Sequence, residues 1–299
     1  MTTANHVLEI DGLVKHYGRV EAVRGIDLKV ERGQVFGFLG PNGSGKTTTI
    51  RCLLGLLRPT AGRISAFGLD PTREGVAVRR RLAYIPGELR LPERISGREL
   101  VTIIGRMRDG FDAGRRDELA ERLQLDLGRS LRRLSTGNRR KVALLLAFLT
   151  DADLLVLDEP TSGLDPLMQR QFLELVREAR TAGRTVFLSS HMLSEVQRVA
   201  DTVVVLRAGL VVAAGTVGDL RGRARQRIEV WFAGPSPEGP LRAMPGIDRA
   251  EIDGRRFTAS LAGPIQPLLR LLAEHQVESM LVQEPDLEEA FLDLYGASA

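Results

Sequence analysis

A glycine-rich segment between two apolar stretches constrains the fold of this chain more than any other feature. Residues 40–47 read Gly-Pro-Asn-Gly-Ser-Gly-Lys-Thr and match the pattern GxxxxGK[ST] at every fixed position. The apolar residues 35–39 before it are typical of a buried strand, and the apolar residues 50–57 after it predict a helix. A strand, a phosphate-cradling loop and a helix in this order predict an α/β fold with a nucleoside triphosphate site.

Each position of this loop has its own expected task. The glycines let backbone N–H groups turn inward around phosphate oxygens, Lys46 is expected to contact the β- and γ-phosphates, and the Thr47 hydroxyl is expected to bind Mg²⁺. A glycine-rich turn before a core helix is the alternative, which the complete match disfavours. The candidate nucleotide-binding residues of this segment are Gly40, Pro41, Asn42, Gly43, Ser44, Gly45, Lys46, Thr47 and Thr48.

The composition and net charge of the chain indicate a soluble globular protein. The chain has 299 residues, of which 43% are apolar and 27% charged, and this suits a soluble domain with a smaller second one. The apolar run 142–149 is far shorter than the ~20 residues of a membrane span. We see no secretory signal and expect a cytoplasmic chain. The net charge of +4 is mild and scattered, so no nucleic-acid partner is expected.

The order of apolar segments predicts the architecture. Buried strands that alternate with helices indicate a parallel sheet covered on both faces. The alternating segments 7–10 and 25–30 predict antiparallel strands at an exposed edge, and residues 79–86 predict a short strand. We expect a basic linker at 221–227, followed by a small α/β module at 228–299.

Two carboxylates follow the apolar residues 154–157. An aspartate at the end of a buried strand lies beside the phosphate loop, so Asp158 is a candidate to hold Mg²⁺ through water. Glu159 leaves the strand in another direction and is a candidate general base for the attacking water. Taken alone, the pair is equally compatible with a structural capping role, and the phosphate loop earlier in the chain favours catalysis.

A second anion site is predicted at residues 134–138, which read Leu-Ser-Thr-Gly-Asn before a long apolar helix. Ser135 and the N–H of Gly137 would lie at the helix N-terminus. A plain helix cap with a glycine turn is the alternative. Together with the Asp-Glu strand further on, however, this segment resembles the signature motif of ATP-binding-cassette (ABC) proteins.

The resemblance covers residues 5–219 and implies a P-loop NTPase cassette at 5–220, with a parallel core sheet, an antiparallel edge sheet and a helical subdomain at about 88–150. By this resemblance, Tyr17 stacks on adenine, Asp165 belongs to the D-loop at a dimer interface, and His191 hydrogen-bonds the γ-phosphate. It also implies that four signature residues approach the ATP of a partner subunit: Ser135, Thr136, Gly137 and Asn138.

The chain departs from the family pattern at two places. The usual LSGGQ is Leu-Ser-Thr-Gly-Asn here, so Thr136 stands at a backbone position that is often glycine. The glutamine that usually contacts Mg²⁺ and the attacking water is replaced by Gly87, followed by Glu88. Either Glu88 or a water would take over that contact, with altered coupling or turnover.

The function implied by the resemblance is that of an ATPase that uses ATP and Mg²⁺ and energises separate permease subunits at the cytoplasmic face of the membrane. With one phosphate loop and one signature, the chain needs a second ATP-binding subunit, identical or related, to complete its sites. Residues 282–296 resemble the tail of bacterial drug and antibiotic exporter ATPases of the daunorubicin/doxorubicin-resistance type.

The sequence is compatible with two other functions. A soluble ABC ATPase acting on DNA or ribosomes would need a long coiled coil before the signature, or a second cassette, and the sequence shows neither. A regulatory cassette with weak turnover is favoured by Gly87 but opposed by Glu159 and His191.

Overall fold

The structure is a computed structural model that describes residues 6–108, 110–219 and 226–283. The chain divides into two compact units, Met1–Ala214 and Gly215–Ala299. Most of the predicted linker at 221–227 lies outside the described residues. The same holds for the chain end from residue 284 onward, which carries most of the exporter-like tail.

Two sheets build the first unit. Its strands are β1 (His6–Tyr17), β2 (Val20–Glu31), β3 (Val35–Leu39), β4 (Ala61–Ala66), β5 (Leu82–Ile85), β6 (Leu154–Asp158), β7 (Thr185–Ser190), β8 (Thr202–Arg207) and β9 (Leu210–Thr216). One sheet has the order β5-β6-β7-β3-β8-β9, and the other has the order β2-β1-β4. The pairs among β5, β6, β7, β3 and β8 are parallel, and the three-stranded sheet is antiparallel, as predicted.

The register of the parallel strands brings the carboxyl ends of β3, β6 and β7 together at one edge of the sheet. Leu39 at the end of β3 pairs with Ser190, and Asp158 at the end of β6 pairs with Ser189, both on β7. Every residue of these three strands is buried, which explains their nearly continuous apolar sequences. The carboxyl ends of the three strands therefore meet at one edge, where ligands bind in open α/β sheets.

The two strands predicted at 7–10 and 25–30 are each twelve residues long in the structure. Their pairing shifts register several times, including between Ile10 and Leu13. A bulge interrupts the alternation of buried and exposed residues, so only the regular parts of these strands carry a readable pattern. Here the predicted boundaries were wrong.

The helices of the first unit cover the sheets and form a satellite cluster. They are α1 (Lys46–Leu53), α2 (Gly75–Arg80), α3 (Gly97–Arg106), α4 (Ala113–Arg122), α5 (Thr136–Leu149), α6 (Pro166–Thr181) and α7 (Leu193–Val196). Leu100 of α3 packs with Val142 of α5 in an apolar cluster separate from the main core. Among the described residues, no helix combines the length and apolar character needed to cross a membrane.

Two helix boundaries differ from the sequence predictions. Helix α1 ends at Leu53 instead of continuing to residue 57, because Gly55 has a φ of +67° and a Cβ there would lie 2.1 Å from the Pro71 carbonyl oxygen. The predicted strand 79–86 begins only at Leu82, because its first residues end helix α2. The guanidinium of Arg108 donates to the Arg80 carbonyl at 2.8 Å, a tertiary cap that the local sequence does not show.

The second unit is a four-stranded antiparallel sheet with two helices. Its elements are β10 (Gln226–Phe232), α8 (Glu238–Arg242), β11 (Ile247–Asp253), β12 (Arg256–Leu261), α9 (Gln266–Ala273) and β13 (Val277–Gln283), with the strand order β11-β12-β10-β13. Asp253 pairs with Arg256, so a two-residue turn closes the hairpin. The apolar residues of β10 and β12 pack with both helices into a separate core.

Candidate nucleotide site

The phosphate loop links β3 to α1 through positions that only glycine can occupy. Gly45 has a φ of +107°, and a Cβ there would lie 2.5 Å from the Ala22 carbonyl oxygen. A Cβ at Gly40 would lie 2.3 Å from the Leu206 carbonyl oxygen. The backbone of the loop is therefore held between β2 and β8, with Pro41, Asn42 and Gly43 exposed at its rim.

The base of the loop holds a buried cation. The Lys46 ammonium, whose side chain is 5% exposed, donates to the carbonyl of Gly40 at 2.6 Å and to that of Pro41 at 3.2 Å. The Ser44 hydroxyl is buried and has no hydrogen-bond partner among the described residues. A buried ammonium and an unpartnered hydroxyl in a glycine loop at a helix N-terminus fit a polyphosphate, and the half-buried Thr48 lies in the first turn of that helix.

Thr47 and Asp158 lie together, as the sequence predicts. The Thr47 hydroxyl donates to Oδ2 of the fully buried Asp158 at 3.0 Å, and the Ser189 hydroxyl donates to Oδ1 at 2.9 Å. A threonine hydroxyl beside a carboxylate is a hard-oxygen donor set, which fits Mg²⁺. Ser189 was not predicted from the sequence, although the polar end of the otherwise apolar strand β7 marks it.

Glu159 has the least favourable backbone conformation at this edge. Its φ of +49° lies in the left-handed region, which costs a non-glycine residue roughly 1–2 kcal/mol. Its N–H donates to the Ser189 carbonyl at 3.0 Å, which holds this conformation in place. Carboxylate Oε2 lies 2.6 Å from Nδ1 of His191, and Oε1 lies 3.3 Å from Nζ of Lys46. The strained backbone thus aims the carboxylate between two groups that were predicted to contact the γ-phosphate.

The buried Glu195, which was not predicted from the sequence, holds the loop that carries His191 through hydrogen bonds. Glu195 accepts from the Thr161 hydroxyl at 2.8 Å and from the Ser190 hydroxyl at 3.3 Å. Burial raises the pKa of Glu195, and these two hydrogen bonds oppose that shift. The segment after Glu159 is therefore tied to the loop that carries the half-exposed His191.

Gly87 lies against Asp158, so the departure from glutamine falls on the metal side of the site. A Cβ at Gly87 would lie 3.3 Å from Oδ2 of Asp158, which is tighter than ordinary contact. The Glu88 side chain is exposed. The buried guanidinium of Arg140, which the sequence analysis did not single out, donates to the carbonyls of Pro86 and Gly87. Gly87 thus brings no side chain to Asp158, and Arg140 holds the backbone at the position where the family pattern has a glutamine.

The signature segment forms the N-terminus of α5. Ser135 is the N-cap, and its hydroxyl accepts from the Asn138 N–H at 3.2 Å. Thr136 begins the helix and does not have a positive φ, so the backbone accommodates threonine without strain. A Cβ at Gly137 would lie 2.8 Å from the Gly163 carbonyl oxygen, which explains the need for glycine there. Ser135 and Thr136 are exposed in this chain.

Asp165 and Tyr17 have local contacts besides their predicted roles. Asp165 is the N-cap of α6, and its Oδ1 accepts from the N–H groups of Leu167 and Met168 at 3.0 Å each. Tyr17 is 45% exposed at the end of the β1–β2 hairpin, with Nζ of Lys15 5.3 Å from the ring centroid. The same hairpin contacts the phosphate loop through Ala22, so an exposed aromatic ring lies on the element beside that loop. The roles of Asp165 at an interface and of Tyr17 under adenine stay predictions.

The close contact of Gly137 with Gly163 gives a testable expectation. Gly137→Ala places a methyl group against a backbone carbonyl, so the N-terminus of α5 and the segment before Asp165 must move apart. Since a displacement of about 1 Å can cost 10²-fold in rate, we expect kcat to fall by about ten- to a hundredfold, with ATP affinity kept. Steady-state hydrolysis and equilibrium ATP binding check this.

Gly234→Ala is the matched control, because nothing lies within 4 Å of a Cβ there and its φ is not in the positive range. A Gly137→Ala variant that hydrolyses ATP at the wild-type rate would show that the contact with Gly163 is unimportant for turnover.

Comparison with known proteins places this geometry in a family. The family model described as "ABC transporter" matches residues 23–162. The daunorubicin resistance ATP-binding protein DrrA3 of Streptomyces coeruleorubidus is 37% identical over 98% of this chain and 97% of its own length. The Nod factor export ATP-binding protein I of Rhizobium etli is 31% identical over 97% of this chain and 93% of its own length.

Solved structures show the same fold. An ATP-binding subunit of an ABC transporter, 32% identical in sequence, covers 72% of this chain and 92% of its own chain with a TM-score of 0.66. A dimeric bacterial ABC transporter cassette, 21% identical, covers 70% of this chain and 98% of its own with a TM-score of 0.64, which supports the fold alone. The predicted P-loop NTPase cassette fold is confirmed.

Proposed function

The chain belongs to the ATP-binding subunits of ABC transporters, a family of ATPases, and from this membership we propose that it powers an exporter through separate permease subunits. The permeases would span the membrane, and this chain would bind them at the cytoplasmic face. The relatives are named for daunorubicin resistance and for Nod factor export. These names support a lipophilic compound, such as a drug or an antibiotic, as the exported substrate.

The position of the Glu159 carboxylate is the single observation that carries the catalytic proposal. It lies between Lys46 and His191, and its Oε1 is buried without a hydrogen-bond partner among the described residues. An ionised carboxylate there can accept the proton of a water as its oxygen attacks the γ-phosphorus. The bond between the γ-phosphorus and the bridging oxygen of ADP breaks, and the charge that grows on the phosphates is stabilised by Lys46.

Two further groups would orient the reactants. His191 would donate a hydrogen bond to the γ-phosphate from its half-exposed ring, which contacts Glu159 through Nδ1. Thr47 and Asp158 would hold Mg²⁺, which when bound neutralises charge on the phosphate oxygens. With Gly87 in place of glutamine, a water would fill the space beside Asp158, since Glu88 is exposed.

A second ATP-binding subunit would complete each site. Ser135, Thr136, Gly137 and Asn138 form a helix N-terminus with two exposed residues, which suits the γ-phosphate of ATP held by a partner. The Gly163 contact places the segment leading to Asp165 beside this surface. Closure of the dimer on ATP and its opening after hydrolysis would then be passed to the permeases.

The proposed partner is tested by affinity purification. Tagged Glu159→Gln would be isolated from native cells in mild detergent with Mg-ATP, and the co-purified proteins would be identified by mass. We expect a multi-span membrane protein in near-equal amount. The same tagged chain in EDTA is the control for dependence on nucleotide. Ribosomal or nucleic-acid components without any membrane protein would contradict the proposal.

A further inference from the structure

The buried guanidinium of Arg140 makes a bidentate hydrogen-bonded contact with the backbone that follows β5. It lies in the second turn of α5 and is 7% exposed. Its Nη1 donates to the Pro86 carbonyl at 2.7 Å, and its Nη2 donates to the Gly87 carbonyl at 2.7 Å. Two short bonds from one planar, charged group fix both the position and the orientation of the segment that accepts them.

The segment held in this way borders the metal side of the site. A Cβ at Gly87 would lie 3.3 Å from Oδ2 of Asp158, so this peptide runs directly beside that carboxylate. Burial lowers the pKa of Arg140, whereas the negative charges of Asp158 and Glu159 raise it. The guanidinium therefore lies within electrostatic range of both carboxylates of the catalytic centre.

Gly87 has no side chain with which to hold itself in place. In a loop with a side chain at this position, that side chain could anchor the loop to the site. In this chain the two hydrogen bonds from Arg140 to the Pro86 and Gly87 carbonyls hold the loop instead. The helix that provides Arg140 begins with Thr136, one residue after the exposed Ser135.

We propose that Arg140 is a positioning residue that locks the Pro86–Gly87 backbone beside Asp158. It thereby couples the catalytic centre of its own chain to the helix whose N-terminus faces the nucleotide of the partner subunit. The first part rests on contacts within this chain, and the coupling rests on the proposed dimer. In a nucleotide-driven closure, a shift of α5 would move the Gly87 peptide with it, because the guanidinium connects the two directly.

The neighbouring arginine provides a matched control. Arg139 lies on the same helix, but its guanidinium donates to the carbonyls of Leu131 and Arg132, at 3.2 and 3.3 Å. It is held by the loop before α5, and among the described residues it donates to neither the Pro86 nor the Gly87 carbonyl. Arg139→Gln and Arg140→Gln thus remove the same charge and the same donors from adjacent positions.

The test compares hydrolysis and amide hydrogen exchange in the purified full-length chain. For Arg140→Gln we expect kcat to fall about tenfold or more, KM for ATP to stay within about twofold, and exchange at residues 87–91 to accelerate. Arg140→Lys keeps the charge and one strong donor, so it should recover part of kcat. Arg139→Gln should leave kcat within about twofold of wild type and change exchange near residues 131–133 instead.

Several outcomes would overturn the inference. One is a wild-type kcat in Arg140→Gln. Another is a fall in kcat with an equal rise in KM and faster exchange throughout the chain, since this describes a packing residue only. If Arg140→Gln does not fold, the Arg140→Lys variant provides the test instead. An unchanged kcat together with unchanged amide exchange at residues 87–91 in that variant would overturn the inference. The wild-type rate of the isolated chain is the reference, so failure to find a permease would not affect this result.

Discussion

Glu159→Gln is expected to lower kcat for ATP hydrolysis by about 10²–10⁴-fold, the usual range for loss of a general base, while ATP binding is kept. The amide cannot accept the proton of the attacking water. It also removes the negative charge 3.3 Å from the Lys46 ammonium, so that ammonium becomes more available to phosphate oxygens. ATP affinity should therefore stay equal or increase. Single-turnover phosphate release and equilibrium binding of ATP measure the two quantities separately.

Glu121→Gln is a suitable control for this variant, because that glutamate is exposed on α4. Equal hydrolysis by Glu159→Gln and wild type would refute the assignment of Glu159 as the general base. A loss of hydrolysis together with a large loss of ATP binding would also contradict it, since the carboxylate would then be needed to build the site.

Lys46→Ala is expected to weaken ATP binding by about ten- to a hundredfold, since a hydrogen bond to a charged group contributes about 1.5–3 kcal/mol. The substitution removes the buried ammonium from the base of the phosphate loop and leaves Oε1 of Glu159 without its nearby cation. Repulsion between that carboxylate and the phosphates then adds to the loss. Isothermal titration with ATP measures the effect.

Lys46→Arg keeps the positive charge and serves as the comparison for Lys46→Ala. Because the ammonium donates to the Gly40 and Pro41 carbonyls, the thermal midpoint of both variants should be measured alongside binding. Unchanged ATP affinity in a folded Lys46→Ala variant would contradict a phosphate-binding role for this residue.

The sequence predicted the parts of the site that depend on local order. Residues 40–47 and 154–159 carry complete motifs, since a glycine loop before a helix and carboxylates after a buried strand have their geometry built into adjacent residues. The helix N-terminus at Ser135 was predicted as well, because a serine cap and a following apolar run mark the start of a helix.

The parts that depend on tertiary register were not predictable from local patterns. Ser189 contacts Asp158 only because β6 and β7 pair in one particular register. Arg140 contacts Gly87 across a gap of more than fifty residues in sequence, and Glu195 contacts Thr161 across a shorter one. A single arginine or glutamate in an amphipathic segment is usually solvated, so nothing in the residue type marked these two as buried.

In the proposed dimer the signature of one chain completes the ATP site of another, and the oligomeric state of trapped variants tests this arrangement most directly. Glu159→Gln should be a dimer in ATP and a monomer without it, by light scattering during gel filtration. Adding Ser135→Arg, at the exposed N-cap of α5, should leave ATP affinity unchanged and keep the chain monomeric. If the double variant still dimerises with ATP as Glu159→Gln does, the signature does not face the nucleotide of a partner.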